Sequence, residues 1–359
     1  MPTETFALRP TSPFRLDLTV WALRRHPENL IDGWDGRIYR RTLIIDGQPV
    51  QMAVTLEGTS EDPGLQVILT APRIPARAEA AAIRALERLL GIRVDLSAFY
   101  QLAGDPQLGP LITRFKGMKP PRFLTLFEAL INAIACQQVT LALGIRLINR
   151  LAKAFGRRVE EDPEAPPAFP GPEDLAGRPP EVLQALGFSR QKVRAILTLA
   201  EMMTAGAIDL ESWESLPDTE AIARLQGLHG IGRWSAEYAL LRGMGRLHIF
   251  PGDDVGARRR LQQWLGRRQP LDYEGVRHAL ARWQPYAGLV YFHLLLQGLE
   301  EQGLPAAAVF MIIHFDREAL RLSPEAGWSA RNRARRALEA MGCGSRRPFA
   351  LSWTPTGRP

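Results

Sequence analysis

The chain has 359 residues, 46% hydrophobic and 23% charged, proportions that suit two or three packed domains and exclude a disordered, collagenous or coiled-coil chain. No stretch nears the roughly 18 unbroken apolar residues of a membrane span, MPTETFALRP shows no secretory signal, and two cysteines, Cys136 and Cys343, are too few for a disulfide framework, a four-thiolate zinc site or an iron–sulfur cluster. A net charge of +7 and a pI near 9.8 favour a polyanionic partner, and the expectation is a cytoplasmic monomer with no membrane partner.

Residues 1–108 read as an N-terminal mixed α/β sheet domain. Phe14, Leu16, Leu18 and Val20 alternate with Arg15, Asp17 and Thr19, a period of two that predicts a half-buried strand. Two apolar runs, 43–45 and 50–54, flank Asp46-Gly47 as in a hairpin, and 65–70 is a further short strand. Residues 75–90 are rich in alanine, glutamate, arginine and leucine and stop at Gly91, which predicts a helix. From 109 to 304 helical periodicity takes over. Two helices are expected over 126–155 and a proline-rich connection over 160–172. Further helices are expected near 180–186, 190–205, 219–225, 233–244, 255–265, 273–283 and 287–297. The fold class is therefore α+β, a sheet domain followed by an all-α core. Residues 305–359 form a basic C-terminal extension, with a helix expected over 329–341. Its Arg331, Arg333, Arg335 and Arg336 read either as a solvated face or as a DNA-contacting one.

The informative stretch is LQGLHGIGRWSAEYALLRGMGRLHIFPGDDVGARRR, residues 225–260. A tight turn through Gly230, Ile231 and Gly232 joins two helices. Glycines at 230 and 232 allow positive φ and close approach of a polyanion, and the helix starting at Arg233 offers unpaired N–H groups to a phosphate. An ordinary packing corner fits the same residues. Trp234 and Tyr238, four apart, share a helix face, as core packing or as a wall on which an unstacked base rests. The second helix is about 18 Å long and the return through 245–252 spans up to about 26 Å, so Asp254 can come back to the turn. Asp253 or Asp254 also suits an N-cap of the next helix.

Leu-x-Gly-Ile-Gly-x-Trp-Ser-Ala-x-Tyr followed by Phe-Pro-x-Asp-Asp resembles the helix–hairpin–helix DNA glycosylases, and within them the DNA-3-methyladenine glycosylase II (AlkA) type. The helix and turn from Phe127 to Thr140, with its Cys136-Gln137-Gln138, the segment 169–200 and Arg282-Trp283-Gln284-Pro285-Tyr286 are similar to the same type. The resemblance covers about 109–300.

The resemblance implies a monofunctional glycosylase that flips alkylated purines, of the 3-methyladenine and 7-methylguanine kind, out of duplex DNA and hydrolyses the N-glycosidic bond. Base excision repair starts at that step. It makes Asp254 the catalytic carboxylate, Trp234 and Tyr238 the walls of the base pocket and Asp253 a negative neighbour. Gly230, Ile231, Gly232 and Ser235 hold phosphate, and Gln138 fills the gap left by the flipped nucleotide. No cofactor is implied beyond an optional monovalent cation, Na or K, on the backbone carbonyls of Gln226, Leu228 and Gly230. Two positions depart from the type: Gln138 replaces an apolar leucine wedge, and Leu295 replaces a tryptophan. Bifunctional members carry a lysine near the start of the second helix. Here that region reads Arg233-Trp234-Ser235-Ala236, no lysine follows 192, and arginine cannot serve as the amine. A glycosylase for oxidised or deaminated bases and a non-catalytic damage-binding protein remain the alternatives.

Overall fold

The computed structural model describes residues 1–159, 162 and 165–303. The expected helix over 329–341 and its arginines lie outside them. Five strands, β1 (Thr3–Leu8), β2 (Gly33–Trp34), β3 (Ile38–Ile45), β4 (Gln48–Gly58) and β5 (Pro63–Thr70), form one sheet in the order β1-β5-β4-β3-β2. All its pairings are antiparallel. The β3–β4 hairpin closes through Asp46 and Gly47, both at positive φ, as the two-residue turn requires. Sequence periodicity did not register β1, which pairs Thr3 with Thr70 and Leu8 with Leu65.

The helices are α1 (Leu16–Arg24), α2 (Ala78–Leu89), α3 (Ser97–Tyr100), α4 (Gly109–Arg114), α5 (Leu126–Cys136), α6 (Leu141–Phe155), α7 (Pro172–Leu175), α8 (Pro180–Ala185), α9 (Arg190–Thr204), α10 (Asp218–Gln226), α11 (Arg233–Ala239), α12 (Val255–Trp264), α13 (Tyr273–Leu280) and α14 (Ala287–Glu300). A π-helical turn over Leu240–Met244 extends α11. Threonine side chains cap α5 and α6, Ser189 caps α9 and Asp272 caps α13, each satisfying an orphan N–H at a helix start.

One expected element is overturned. Residues 16–24 form helix α1, not a strand, and eight of its nine residues are buried. Leu16, Val20 and Leu23 pack into the cluster that covers the sheet. Leu18 and Trp21 pack into a second cluster with Phe99, Leu111, Phe115 and α14. Two helical faces, each spaced by three or four, interleave in sequence and mimic a period of two. The helix ends at Arg25, whose φ is 62° and whose N–H donates to the Trp21 carbonyl at 3.0 Å.

Helix α5 runs through the centre of the third cluster, with α6, α9 and α11 around it. Its buried polar residues join the sheet to the helices. Arg41 of β3 donates to Glu128 at 2.6 Å and to Asp32 at 2.7 Å. Burial pushes the Glu128 carboxyl up, against the pull of Arg41. Breaking such a buried network by removing one partner costs about 3–5 kcal/mol.

Candidate active site and nucleic-acid interface

Helix α10 ends at Gln226, the chain reverses through Leu228–Gly232 and α11 begins at Arg233. Ile231 and Leu228 are buried anchors of this turn. Gly230 has φ of 81°, and a Cβ there would lie 2.8 Å from the Ala195 side chain. Of the two glycines that allow positive φ, Gly232 does not use it. Its φ is −94° and ψ −177°, and a Cβ there would meet nothing within 4 Å. The fold itself therefore demands a glycine at 230 and not at 232.

The α11 aromatics differ in exposure. Tyr238 is buried, while Trp234 is half-buried. Their rings are 5.4 Å apart at 33°. Ser235 is buried, and its hydroxyl accepts from Gln137 Nε2 at 2.9 Å. The same amide donates to the Gly230 carbonyl at 2.8 Å. Gln137, to which the sequence reading gave no role, thus ties the turn after α5 to the hairpin. Its neighbour Gln138 is exposed at φ 54° on the groove.

The two oxygens of Asp254 have different partners. Oδ1 accepts the Ala257 N–H at 2.9 Å and caps α12. Oδ2 accepts from Trp234 Nε1 and from the Tyr291 hydroxyl, each at 3.3 Å. Among the described residues Asp253 caps no helix, the N-cap of α12 being Asp254. Asp253 takes Arg233 Nε at 2.7 Å, and that guanidinium lies 3.9 Å above the Tyr273 ring.

A groove of about 1250 Å³ runs past Gln138, Gly230, Gly232, Ser235 and Asp253. Beside it lies a cavity of about 400 Å³, and Cys136, Trp234 and Asp254 border both. Tyr238, Tyr291, Leu295 and Arg25 also line the cavity. The structure thus brings Asp254, Trp234 and Tyr238 to one cavity, and sets Asp253 and the hairpin glycines on the groove.

Two wall residues were not found from sequence. Tyr291 shares a face of α14 with Leu295, four residues on, and that spacing was the available signal. Burial, then the negative Asp254, raises its pKa well above the phenol range, so it stays a donor. Arg25 gave no signal. It is buried and donates to the Tyr238 hydroxyl and to Asn132 Oδ1, both at 2.6 Å. Burial opposes the charge, but Tyr238, Cys136 and Tyr291 hold its pKa above the ordinary arginine value. Lys192 also borders the groove and donates to the Ala135 carbonyl at 2.9 Å; burial lowers its pKa.

Residues 131–285 match the HhH-GPD superfamily base excision DNA repair protein family. DNA-3-methyladenine glycosylase 2 of Escherichia coli (strain K12) is 30% identical over 206 residues, which cover 55% of this chain and 69% of that protein. The chain belongs to the HhH-GPD superfamily of base excision DNA repair proteins. Within the superfamily it is of the AlkA type. The DNA-3-methyladenine glycosylase of Bacillus subtilis (strain 168) is 32% identical over 163 residues, 45% of this chain and 54% of that protein. A solved structure described as 3-methyladenine DNA-glycosylase from Archaeoglobus fulgidus superposes with a TM-score of 0.70 at 25% identity, covering 84% of this chain and all of that one. The α+β architecture is thus that of its superfamily.

Proposed function

We propose that this chain is a monofunctional DNA glycosylase that releases alkylated purines from duplex DNA. The observation that carries the reading is the placement of Asp254. One oxygen is committed to the α12 cap, and the other faces a base-sized cavity walled by Trp234 and Tyr238. As the N-glycosidic bond breaks, the sugar becomes oxocarbenium-like. A carboxylate beside it stabilises the charge and orients or deprotonates water. The names of the relatives as 3-methyladenine glycosylases support this substrate class.

The groove receives the DNA backbone. Gly232 is bare although neither its φ nor local packing requires it, and a bare backbone lets a phosphate reach the amides of the hairpin. Ser235 would contribute its N–H, because its hydroxyl is held by Gln137. Gln138 is the residue on the groove that would enter the gap in the duplex. Gln226, Leu228 and Gly230 fit a monovalent cation as neutral oxygen donors. Leu228 and Gly230 each accept one hydrogen bond and keep a second lone pair. Such an ion would supply positive charge between the protein and the phosphate. Protein and duplex act as one monomer on one lesion, in the cytoplasm, with no other cofactor.

Arg25 favours a second substrate class. A guanidinium in the cavity opposes a cationic alkylated purine and suits the exocyclic oxygen of a deaminated or oxidised base.

The test is base release from duplexes with single defined lesions, comparing 3-methyladenine and 7-methylguanine with hypoxanthine and 8-oxoguanine. We expect abasic sites that break only after alkali, and an Asp254→Asn protein that binds but does not turn over. Full activity in that variant sinks the reading. Nicking without alkali sinks the monofunctional part and points to Lys192. Higher activity on the oxygen-bearing lesions selects the second class.

A further inference from the structure

Glu237 sits one turn beyond Arg233 on α11, buried, and borders neither cavity. A buried carboxylate is costly unless its lone pairs are satisfied. Its oxygens serve a phenol and a backbone amide. Oε1 accepts the Tyr273 hydroxyl at 2.5 Å, and Oε2 accepts the Gly252 N–H at 3.1 Å. Gly252 stands two residues before Asp254. A Cβ on Gly252 would lie 2.7 Å from the Tyr273 ring, so the ring rests on bare backbone. The Asp254 N–H donates to the Pro251 carbonyl at 2.9 Å, which closes the turn. Arg233, stacked on Tyr273, holds Asp253.

We propose that Glu237 and Tyr273 are a positioning pair for the reaction, gripping the Pro251–Asp253 turn so that the Asp254 carboxylate is held at the sugar. Among the described residues Asp254 Oδ2 makes two long bonds, to Trp234 and Tyr291, and Oδ1 is tied to the α12 cap, so the loop that carries the residue sets where the carboxylate lies. Burial raises the Glu237 carboxyl, and burial with Glu237 pushes Tyr273 up to about 12. The phenol therefore keeps its proton and the strut stays formed at neutral pH. A misplacement of about 1 Å in such a group costs about a hundredfold in rate.

This inference rests on the glycosylase reading. The experiment measures single-turnover base release, affinity for a duplex carrying an abasic-site analogue, and Tm, for Tyr273→Phe, Glu237→Gln and Asp254→Asn. Tyr273→Phe keeps the ring on Gly252 and loses only the strut. Its rate is expected to fall about tenfold while its affinity stays within about twofold. Glu237→Gln, which can still accept the Gly252 N–H, is expected to lose less. A wild-type rate in both variants, or rate and affinity falling together with Tm, overturns the pair. If Asp254→Asn retains full activity the glycosylase mechanism fails, and the pair with it. If Asp254→Asn is inactive and Tyr273→Phe is not impaired, only the pair fails.

Discussion

Segments 225–260 and 14–25 both deliver a charged side chain to the same cavity, and they differ in how they do it. The first brings Asp254 back to Trp234 within 20 residues, through a turn, a helix and a return loop. The second brings Arg25 to Tyr238 from 213 residues away, at the end of a helix wedged between two apolar clusters. A short closed circuit leaves its geometry in the spacing of residues. A long-range contact leaves none, because α1 is placed by the sheet on one side and α14 on the other.

The strongest way to break that contrast is Asp254→Asn. Asparagine caps a helix nearly as well as aspartate, so Tm should hold while base release drops about a thousandfold, the scale of a lost acid–base group. A Tm loss with activity intact would make Asp254 a cap alone. The second test concerns the core behind α1. His293 on α14 is buried against Phe99 and Phe115, and burial lowers its pKa to about 4 from an ordinary 6.5. Between those values the unfolded chain binds more protons. Stability is therefore full above about pH 6.5 and falls by of order 3 kcal/mol as pH drops towards 4. Urea unfolding at pH 7 and pH 5, with His293→Leu as control, checks the slope.

Arg25→Met sharpens the comparison from the other side. It leaves Tyr238 and Asn132 without their partner in a buried site, a loss of about 1–3 kcal/mol in unfolding free energy. It also removes the cavity cation, so release of cationic lesions should rise relative to hypoxanthine. An unchanged lesion ratio would show that Arg25 is only structural. The smallest effects separate the two glycines. Gly230→Ala should cost about 1–2 kcal/mol for its left-handed φ, with Ala195 adding a clash. Gly232→Ala should leave Tm unchanged and weaken duplex binding. Equal Tm losses in the two would erase the distinction between a glycine the fold needs and one the ligand needs.

Much of the helical core was legible because α5, α6, α9 and α12 carry apolar residues at helical spacing beside recognisable caps. Asp46-Gly47 marked its hairpin for the same local reason. The strand expected at 14–20 failed because α1 buries two faces, and periodicity presumes one. Ser235 was expected near the phosphate-binding amides, and the bond its hydroxyl accepts from Gln137, in the turn after α5, joins residues 98 apart, so spacing carries no record of it.

The sequence by itself determined the hairpin, the order of Trp234, Tyr238 and Asp254 around it, and the family, because these depend on neighbours a few residues apart along one chain path. Tertiary structure alone decided that Arg25 and Tyr291 wall the same cavity, that Gln137 locks the hairpin, and that Glu237 and Tyr273 hold the loop before Asp254. Each of those contacts joins elements whose separation is fixed by the packing of three apolar clusters, and burial, not periodicity, is what brings them within hydrogen-bonding distance.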